Sequence, residues 1–113
     1  MSMEPREEPT VINDTQLQDK LDQSPSDRRL TPELIKSRIA ETFFHRATDV
    51  TTVCVLRMVN GFEVIGTSAC ADPVNYNQEI GERIAYDNAF SQLWPLEGYL
   101  LRESIVDDLT RVA

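Results

Sequence analysis

The sequence contains few of the residues that build catalytic and metal sites. Its 113 residues include one histidine, His45, and two cysteines, Cys54 and Cys70, without Cys-x-x-Cys spacing. His45 has no partner at a catalytic or metal-binding spacing, and it is expected to cap a helix or to lie on the surface. The cysteines are expected to be unpaired thiols that fill apolar space. We therefore predict a protein that is not an enzyme and that needs neither a metal nor a cofactor.

Basic residues and long apolar runs are also scarce. There are 11 Lys and Arg residues against 19 Asp and Glu residues, so the net charge is −8. Proteins that bind DNA or RNA need a basic surface to neutralise phosphates, which argues against a nucleic-acid partner but not against a small anion held by a few arginines. No apolar run approaches the roughly 18 residues of a membrane helix, and the N-terminus lacks a secretory apolar core, so no membrane association is predicted.

The chain divides into a polar arm and a single domain. Residues 1–30 hold seven acidic and four basic residues and three prolines. Such a segment buries too little apolar surface to offset the entropy lost on ordering. We predict a flexible acidic arm at 1–30, in which 14–21 could form a short helix, and one domain at 31–113.

The first element of the domain is predicted to be a helix at 32–44. Thr31 is a suitable N-cap and Pro32 fits the first helical turn. The apolar residues that follow recur at helical spacing: Leu34, Ile35, Ile39 and Phe43.

Residues 48–71 change to a strand pattern around Asn60-Gly61. An Asn-Gly pair between β-rich runs favours a hairpin with a two-residue turn, which pairs Val59 with Phe62. One face would then carry Cys54, Leu56, Met58, Ile65 and Thr67. Gly66 indicates a bulge or a close backbone approach. Because both faces are mostly apolar, both are expected to be covered.

Residues 77–109 are predicted to form a pair of helices, near 77–93 and 95–109, because Pro95 must kink or split a continuous helix. Asn75 or Asn77 is the expected N-cap. The fold class is therefore α+β, with an N-terminal helix, an antiparallel β-hairpin with an Asn-Gly turn, and one long or Pro-kinked C-terminal helix pair.

Residues 78–101 are apolar on more than one side of the predicted helix. One stripe is formed by Ala85, Ala89, Leu93, Leu96 and Leu100, and a second by Tyr86, Phe90, Trp94 and Leu101. Ile80 and Ile84 begin a third stripe. One helix and one hairpin can cover only part of this surface. A second copy is predicted to cover the rest, so that the protein is a homo-oligomer with a dimer as its minimum unit. The alternative is that the hairpin wraps the helix more fully.

Polar side chains within the apolar runs are the candidates for ligand binding. Asn88 could bond the backbone or fix the register of an interface. Together with Arg83 and Tyr86 it could instead bind a base, a ribose and a phosphate between subunits. Asp87 lies beside it. Arg57, in an apolar strand, requires a carboxylate, solvent at a strand edge, or the anion of a ligand.

A family resemblance rests on several short motifs within residues 31–103. The motifs "NGF", "SAC", "EIG", "IAY" and "LWPLEGYLL", in this order, resemble a small phage-encoded family of the N4 gp49 and Sf6 gp66 type, long catalogued as proteins of unknown function. That family resembles the first-described type of Thoeris anti-defence protein. Such proteins act as sponges: they bind a cyclic ADP-ribose isomer made by bacterial TIR enzymes and do not cleave it. Some also capture the cyclic di- and trinucleotides of CBASS defence, at separate sites on a hexamer.

The resemblance implies a phage anti-defence protein that sequesters a cyclic nucleotide in the cytoplasm of the infected bacterium, as a dimer or as a larger assembly up to a hexamer. On this frame the ligand-binding candidates are Asn88, Arg57, Arg83, Tyr76, Arg102 and Asp87. Two other functions stay open. One is a phage accessory protein that inhibits a host protein through the arm and the acidic C-terminus, and the other is a structural accessory of the phage particle.

Overall fold

The computed structural model describes residues 10–110. The first nine residues of the predicted arm and residues 111–113 of the predicted domain lie outside the described residues. Within the arm, helix α1 (Asp14–Asp22) begins at a capping box, in which Asn13 and Gln16 exchange side-chain to backbone hydrogen bonds. No residue of α1 is buried. The arm meets the domain through an ion pair between Arg28 and Asp108.

The predicted helix at 32–44 is correct at its start and wrong after its second turn. Helix α2 (Pro32–Ser37) begins where predicted, with the Thr31 hydroxyl accepting from the Leu34 N–H at 3.1 Å. The chain then becomes strand β1 (Ile39–Arg46). The stretch after Ser37 is rich in β-branched and aromatic residues, which favour a pleated strand when a neighbouring strand is present.

A three-stranded antiparallel sheet replaces the predicted two-stranded hairpin. Strand β2 (Thr51–Met58) lies in the middle, between β1 and β3 (Glu63–Ala69). Phe43 of β1 is opposite Val55 of β2, which is opposite Ile65 of β3. A bulge at Ala40 shifts the β1–β2 register by one residue. The α+β class is confirmed.

The β2–β3 hairpin forms around Asn60-Gly61 as predicted, but its register differs by one residue. The Met58 N–H donates to the Phe62 carbonyl at 2.8 Å, so the loop has three residues, and only Gly61 has a positive φ, of 87°. Cys54 therefore pairs with Gly66, whereas the predicted two-residue turn would pair it with Thr67. Because side chains alternate along a strand, this slip exchanges the two faces of β3.

Helix α3 (Gln78–Ser91) lies on one face of the sheet. Its N-cap is Asn77, one of the two predicted, whose side chain accepts from the Ile80 N–H. Ala85 and Ala89 are fully buried against Gly66, where a Cβ atom would overlap the Ala85 carbonyl and the Ala89 N–H. The predicted close backbone approach at Gly66 is thus confirmed.

Helix α4 (Leu93–Thr110) follows α3 after a bend at Gln92. Pro95 lacks an N–H, and its ring would clash with the Ser91 carbonyl in a continuous helix. The chain therefore ends α3 at Ser91 and takes Pro95 into the first turn of α4. Only Leu93 and Glu97 of α4 are buried.

The core lies between the sheet and the helices α2, α3 and α4. Its buried apolar residues are Ile35, Cys54, Leu56, Met58, Val64, Ala85, Ala89 and Leu93. The opposite face of the sheet stays half-exposed on the single chain, with Phe43 42% and Ile65 56% exposed. Among the described residues, no helix has the length and apolar content needed to cross a membrane.

Candidate functional site

A cleft of about 230 Å³ lies between the tip of the β2–β3 hairpin and the first turns of α4. We call it the hairpin–helix cleft. Its lining residues are Arg38, Met58, Asn60, Phe62, Leu93, Leu96, Glu97, Tyr99 and Leu100. The walls are mostly apolar, and two aromatic rings are accessible, because Phe62 is 55% and Tyr99 is 72% exposed. Exposed rings beside a few polar groups are typical of sites that bind planar organic ligands.

The floor of the cleft holds a partly buried ion pair. The Arg38 Nε lies 2.7 Å from one Glu97 carboxylate oxygen and 2.9 Å from the other. The Glu97 side chain is 9% exposed and that of Arg38 is 28% exposed. The terminal nitrogens of Arg38 donate to no residue in the range 10–110. Within the described residues, those nitrogens are left to bond a polar group that enters the cleft.

Asn88 bonds the backbone, as one of its two predicted roles requires. Its side-chain nitrogen donates to the Thr67 carbonyl of β3 at 2.8 Å. Gln92, one turn later, donates in the same way to the Ile65 carbonyl. Asn88 is nevertheless exposed, and its side-chain oxygen has no partner among the residues described. One half of the amide is thus structural, and the other half is accessible.

Arg83 and Asp87 form an exposed ion pair on α3, with the Arg83 Nε 3.0 Å from an Asp87 oxygen. Tyr86 lies on another side of the helix and stacks on Phe90 at 5.9 Å between ring centroids. Burial, followed by the nearby Cys54 thiol and Asp87 carboxylate, raises the pKa of the Tyr86 phenol. Tyr86 is therefore a packed residue, whereas Arg83 and Asp87 belong to the surface.

Arg57 has the carboxylate partners that one of its predicted roles requires. On the exposed face of the sheet, its guanidinium lies 3.1 Å from Glu41 and 3.7 Å from Glu63. It also lies over the Phe43 ring, 5.1 Å from the centroid. All three charged side chains are about half exposed, so the cluster is solvated and Arg57 is not an unpaired buried charge.

Tyr76 anchors the chain just before α3. Its hydroxyl lies 3.0 Å from the Thr52 hydroxyl, and the Arg46 guanidinium covers its ring at 3.9 Å. Thr52 is 2% exposed, so the tyrosine hydroxyl satisfies a buried polar group. The depression beyond Tyr76 is lined by Glu79 and Glu82, whose charge repels an anion.

Arg102 completes the predicted set and lies on the exposed part of α4. The six candidates therefore occupy separate surfaces of one chain: the outer sheet face, the α3 N-terminus, the surface of α3, the β3 edge and α4. None of them lines the hairpin–helix cleft.

Four residues of the cleft were not among the candidates predicted from the sequence: Arg38, Phe62, Glu97 and Tyr99. Glu97 offered a signal, since it is an acid within the apolar run "LWPLEGYLL", where a buried carboxylate needs a cationic partner. Arg38 gave no such signal, because the predicted helix at 32–44 placed it in the middle of a surface helix. Arg38 reaches Glu97 of α4 because α2 ends there and β1 begins, a junction that the sequence did not predict.

The thiols and the histidine behave as isolated side chains. Cys54 and Cys70 are unpaired, and burial, then the Glu82 carboxylate, raises the pKa of the Cys54 thiol. His45 is on the surface, as one of its predicted roles requires. The predicted helix cap is wrong, because His45 lies in β1 opposite Val53. Across residues 10–110, no cluster of His, Cys, Asp and Glu has the arrangement of a metal site.

The comparison with known families covers the part of the chain that forms the sheet, α2, α3 and most of α4. The model of the phage protein (N4 Gp49/phage Sf6 gene 66) family matches residues 30–105. No curated protein and no solved structure matches the chain. Because the family match spans more than half of the chain, the protein belongs to the phage protein (N4 Gp49/phage Sf6 gene 66) family.

Proposed function

We propose that this phage protein is an anti-defence sponge that binds a cyclic nucleotide immune signal and releases it uncleaved. The ligand class is the cyclic ADP-ribose isomer of Thoeris defence, together with the cyclic di- and trinucleotides of CBASS. The protein would act in the cytoplasm of the infected bacterium, as a homo-oligomer. Membership of the phage family supports this proposal at the level of origin, and the resemblance of that family to anti-Thoeris proteins supports the ligand class.

The observation that carries the proposal is the composition of the hairpin–helix cleft. Asn60 and Phe62 come from the "NGF" motif, and five other lining residues come from "LWPLEGYLL". These are two of the motifs on which the resemblance rests, and they are about 30 residues apart in the sequence. The fold brings them together around the accessible rings of Phe62 and Tyr99 and the guanidinium of Arg38. Stacking rings with an arginine suit a base and a phosphate.

The size of the cleft supports self-association. Pockets for drug-sized ligands enclose roughly 300–1,000 Å³, whereas the cleft of one chain measures about 230 Å³. The apolar surface around it, including Leu96 and Leu100, is more than 40% exposed. A second subunit would enlarge the cleft into a closed pocket and would cover this surface. It could also bring the accessible oxygen of Asn88, or Arg102, to the same ligand.

Ligand capture and release tests the proposal. The purified protein is incubated with a TIR-made cyclic ADP-ribose isomer and with a panel of cyclic di- and trinucleotides, freed of unbound ligand, and heated. Chromatography and mass spectrometry then identify what is released. We expect one intact ligand in fixed proportion to the subunits. A cleaved product, or no ligand from the whole panel, would contradict the proposal.

A matched pair of variants locates the site. Tyr99→Ser removes a ring that is 72% exposed, and Val74→Ser removes an apolar side chain that is 88% exposed and lies outside the cleft. Both variants should fold. We expect Tyr99→Ser to reduce ligand capture about tenfold or more, as the loss of one stacking ring implies, and Val74→Ser to have no effect. Asn88→Ala and Arg57→Ala test the predicted residues in the same assay, with the oligomeric mass checked first.

The second candidate function is inhibition of a host protein by the arm. The observation that favours it is α1, whose Leu17 and Leu21 are 46% and 38% exposed one turn apart. An amphipathic helix whose leucines are not buried against the described part of the chain suits a groove on another protein. Deletion of residues 1–30 separates the two functions, because a sponge keeps its ligand after the deletion whereas an arm-dependent inhibitor loses its activity.

A further inference from the structure

The two edges of the sheet differ in how their backbone groups are satisfied. At the β3 edge, the carbonyls of Ile65 and Thr67 point away from β2, because the even-numbered residues of β3 form the ladder with β2. The side chains of Gln92 and Asn88 donate to these two carbonyls. These side chains therefore occupy the outward carbonyls of the β3 edge, which hinders the addition of a further strand.

The β1 edge is open. The Ala47 N–H donates to the Thr51 carbonyl at 3.0 Å, which fixes the alternation: odd-numbered residues of β1 bond β2, and even-numbered residues point outwards. The outward N–H and carbonyl groups of Thr42 and Phe44 have no partner in the described part of the chain. A strand edge of this kind is a template for another strand unless charge, proline or a covering element blocks it.

The outer face of β1 alternates in character. Glu41, Phe43 and His45 share that face. Phe43 is 42% exposed and continues the apolar row of Val55 and Ile65. Glu41 lies two residues before Phe43 and His45 lies two residues after it. A carboxylate and an imidazole therefore flank the phenyl ring at equal distances along the strand.

We infer that β1 pairs antiparallel with β1 of a second copy, about a two-fold axis at Phe43. Thr42 of each chain then faces Phe44 of the other, and these pairs exchange four backbone hydrogen bonds through the groups that are unpaired on one chain. The result is a continuous six-stranded sheet whose two outermost edges are the β3 edges, where Asn88 and Gln92 bond the outward carbonyls. Because the contact is two-fold and uses the β1 edge of each chain once, it limits the assembly to two copies through this contact.

The side chains favour this register and this occupant. On the outer face, Phe43 meets Phe43 of the second copy, and Glu41 of each chain meets His45 of the other. The apolar row becomes continuous across six strands, and the flanking rows pair a carboxylate with an imidazole. A shift of two residues in either direction removes both matches. An unrelated strand would bond the edge but would not provide this two-fold complementarity.

This inference deepens the proposed self-association and does not depend on which ligand is bound. Its test is a cysteine pair in the full chain, with Cys70→Ser to leave the buried Cys54 as the remaining native thiol. Phe43→Cys places two thiols at a non-hydrogen-bonded antiparallel pair, where the Cα atoms are about 4.5 Å apart, within the range of a disulfide. Ile65→Cys, in the same row on β3, is the matched control.

Mild oxidation followed by non-reducing electrophoresis gives the result. We expect Phe43→Cys to form a covalent dimer at micromolar concentration and Ile65→Cys to stay monomeric on the gel. Equal cross-linking of both variants, or none at position 43, would overturn the inference. A chain that cross-links at position 43 but captures no cyclic nucleotide would support the interface and contradict only the proposed ligand.

A second pair of variants removes one backbone donor from each edge. Thr42→Pro and Thr67→Pro both replace an outward N–H that the chain itself does not use, so each ladder with β2 is kept. We expect Thr42→Pro to weaken self-association about tenfold or more, since it removes two interface hydrogen bonds per dimer, and Thr67→Pro to leave it unchanged. Sedimentation across a concentration series measures both. Unaltered association of Thr42→Pro would overturn the inference.

Discussion

Helices α3 and α4 are both rich in apolar residues, but they meet different surroundings. α3 lies flat on the sheet, where Ala85 and Ala89 contact Gly66 without space for a side chain. α4 buries only Leu93 and Glu97 and exposes large apolar residues along its length. Small residues therefore fix the contact within the chain, whereas the large apolar residues of α4 stay exposed on the single chain.

The largest expected loss of stability comes from adding an atom where α3 lies directly against the sheet. Gly66→Ala adds a Cβ atom that overlaps backbone atoms of Ala85 and Ala89, and no rotamer change can relieve it. We expect a loss of at least about 3 kcal/mol in the free energy of unfolding, measured by urea denaturation.

The control for this variant lies on α4. At Gly98 an added Cβ atom would be 3.6 Å from its nearest neighbour, the Leu30 side chain, which is an ordinary contact. Gly98→Ala should therefore stabilise the helix by up to about 1 kcal/mol. Equal destabilisation by both variants would show that α4 is packed as tightly as α3.

Two leucines on α4 define where the core ends. Leu93 is 1% exposed, and Leu100, two turns later, is 46% exposed. We expect Leu93→Ala to cost about 2–3 kcal/mol because it leaves a cavity in the core, and Leu100→Ala to cost less than about 1 kcal/mol in the monomer. The two free energies of unfolding are measured by denaturation at low protein concentration. If the cost at Leu100 then rises with protein concentration, a second copy covers it.

Breaking the ion pair beneath the hairpin–helix cleft should lower the free energy of unfolding by an intermediate amount. Glu97→Leu leaves the Arg38 guanidinium, 28% exposed, without its partner, and we expect a loss of about 2 kcal/mol. The double variant Arg38→Met/Glu97→Leu removes both charges and should recover most of this loss. Thermal unfolding of the two variants measures the difference. A double variant as unstable as the single one would mean that packing, and not charge, holds the cleft together.

The smallest expected difference is in the chemical reactivity of the two thiols, Cys54 and Cys70. Cys54 is fully buried on the face that α3 covers, and its pKa is raised by burial and by Glu82. One thiol per chain, Cys70, should therefore react rapidly with an alkylating reagent at pH 8, as mass spectrometry of digested protein would show. Rapid labelling of Cys54 in the folded protein would contradict the packing of α3 on β2.

The raised pKa of Cys54 also predicts the pH dependence of stability. The folded state keeps the thiol neutral, so its contribution is fully present below the ordinary thiol value of 9.0 and is lost as the pH rises through the higher folded value. The Tyr86 phenol, whose pKa is also raised, acts in the same direction at higher pH. We expect the free energy of unfolding to fall above about pH 9, and Cys54→Ala to fall less steeply.

The end of α2 shows why part of the fold could not be predicted from the sequence. The capping signals of Thr31 and Pro32 were local and gave the right start. Ile35, Ile39 and Phe43 are four residues apart. A spacing of four places side chains on one face of a helix, because it is about one turn, and also on one face of a strand, because it is even. Pairing with β2, which lies outside this segment, stabilises the strand rather than the helix.

The hairpin shows that a correctly predicted turn does not determine the strand register. Asn60-Gly61 correctly predicted a turn, but the number of loop residues was decided by the conformation of one glycine, and a single residue exchanged the faces of β3. The cleft could be predicted least, because it combines the hairpin tip with a junction at Arg38 and the first turns of α4. Its residues are dispersed in the sequence, and only the fold brings them together.

Hydrogen exchange with and without ligand would test most directly whether the exposed surface of α4 is functional. The full chain is exchanged alone and in the presence of the TIR-made cyclic ADP-ribose isomer, and backbone protection is measured by mass spectrometry. We expect added protection at 60–62 and 93–101, with 78–91 already protected in both states. No added protection, or protection confined to segments outside the hairpin–helix cleft, would contradict it.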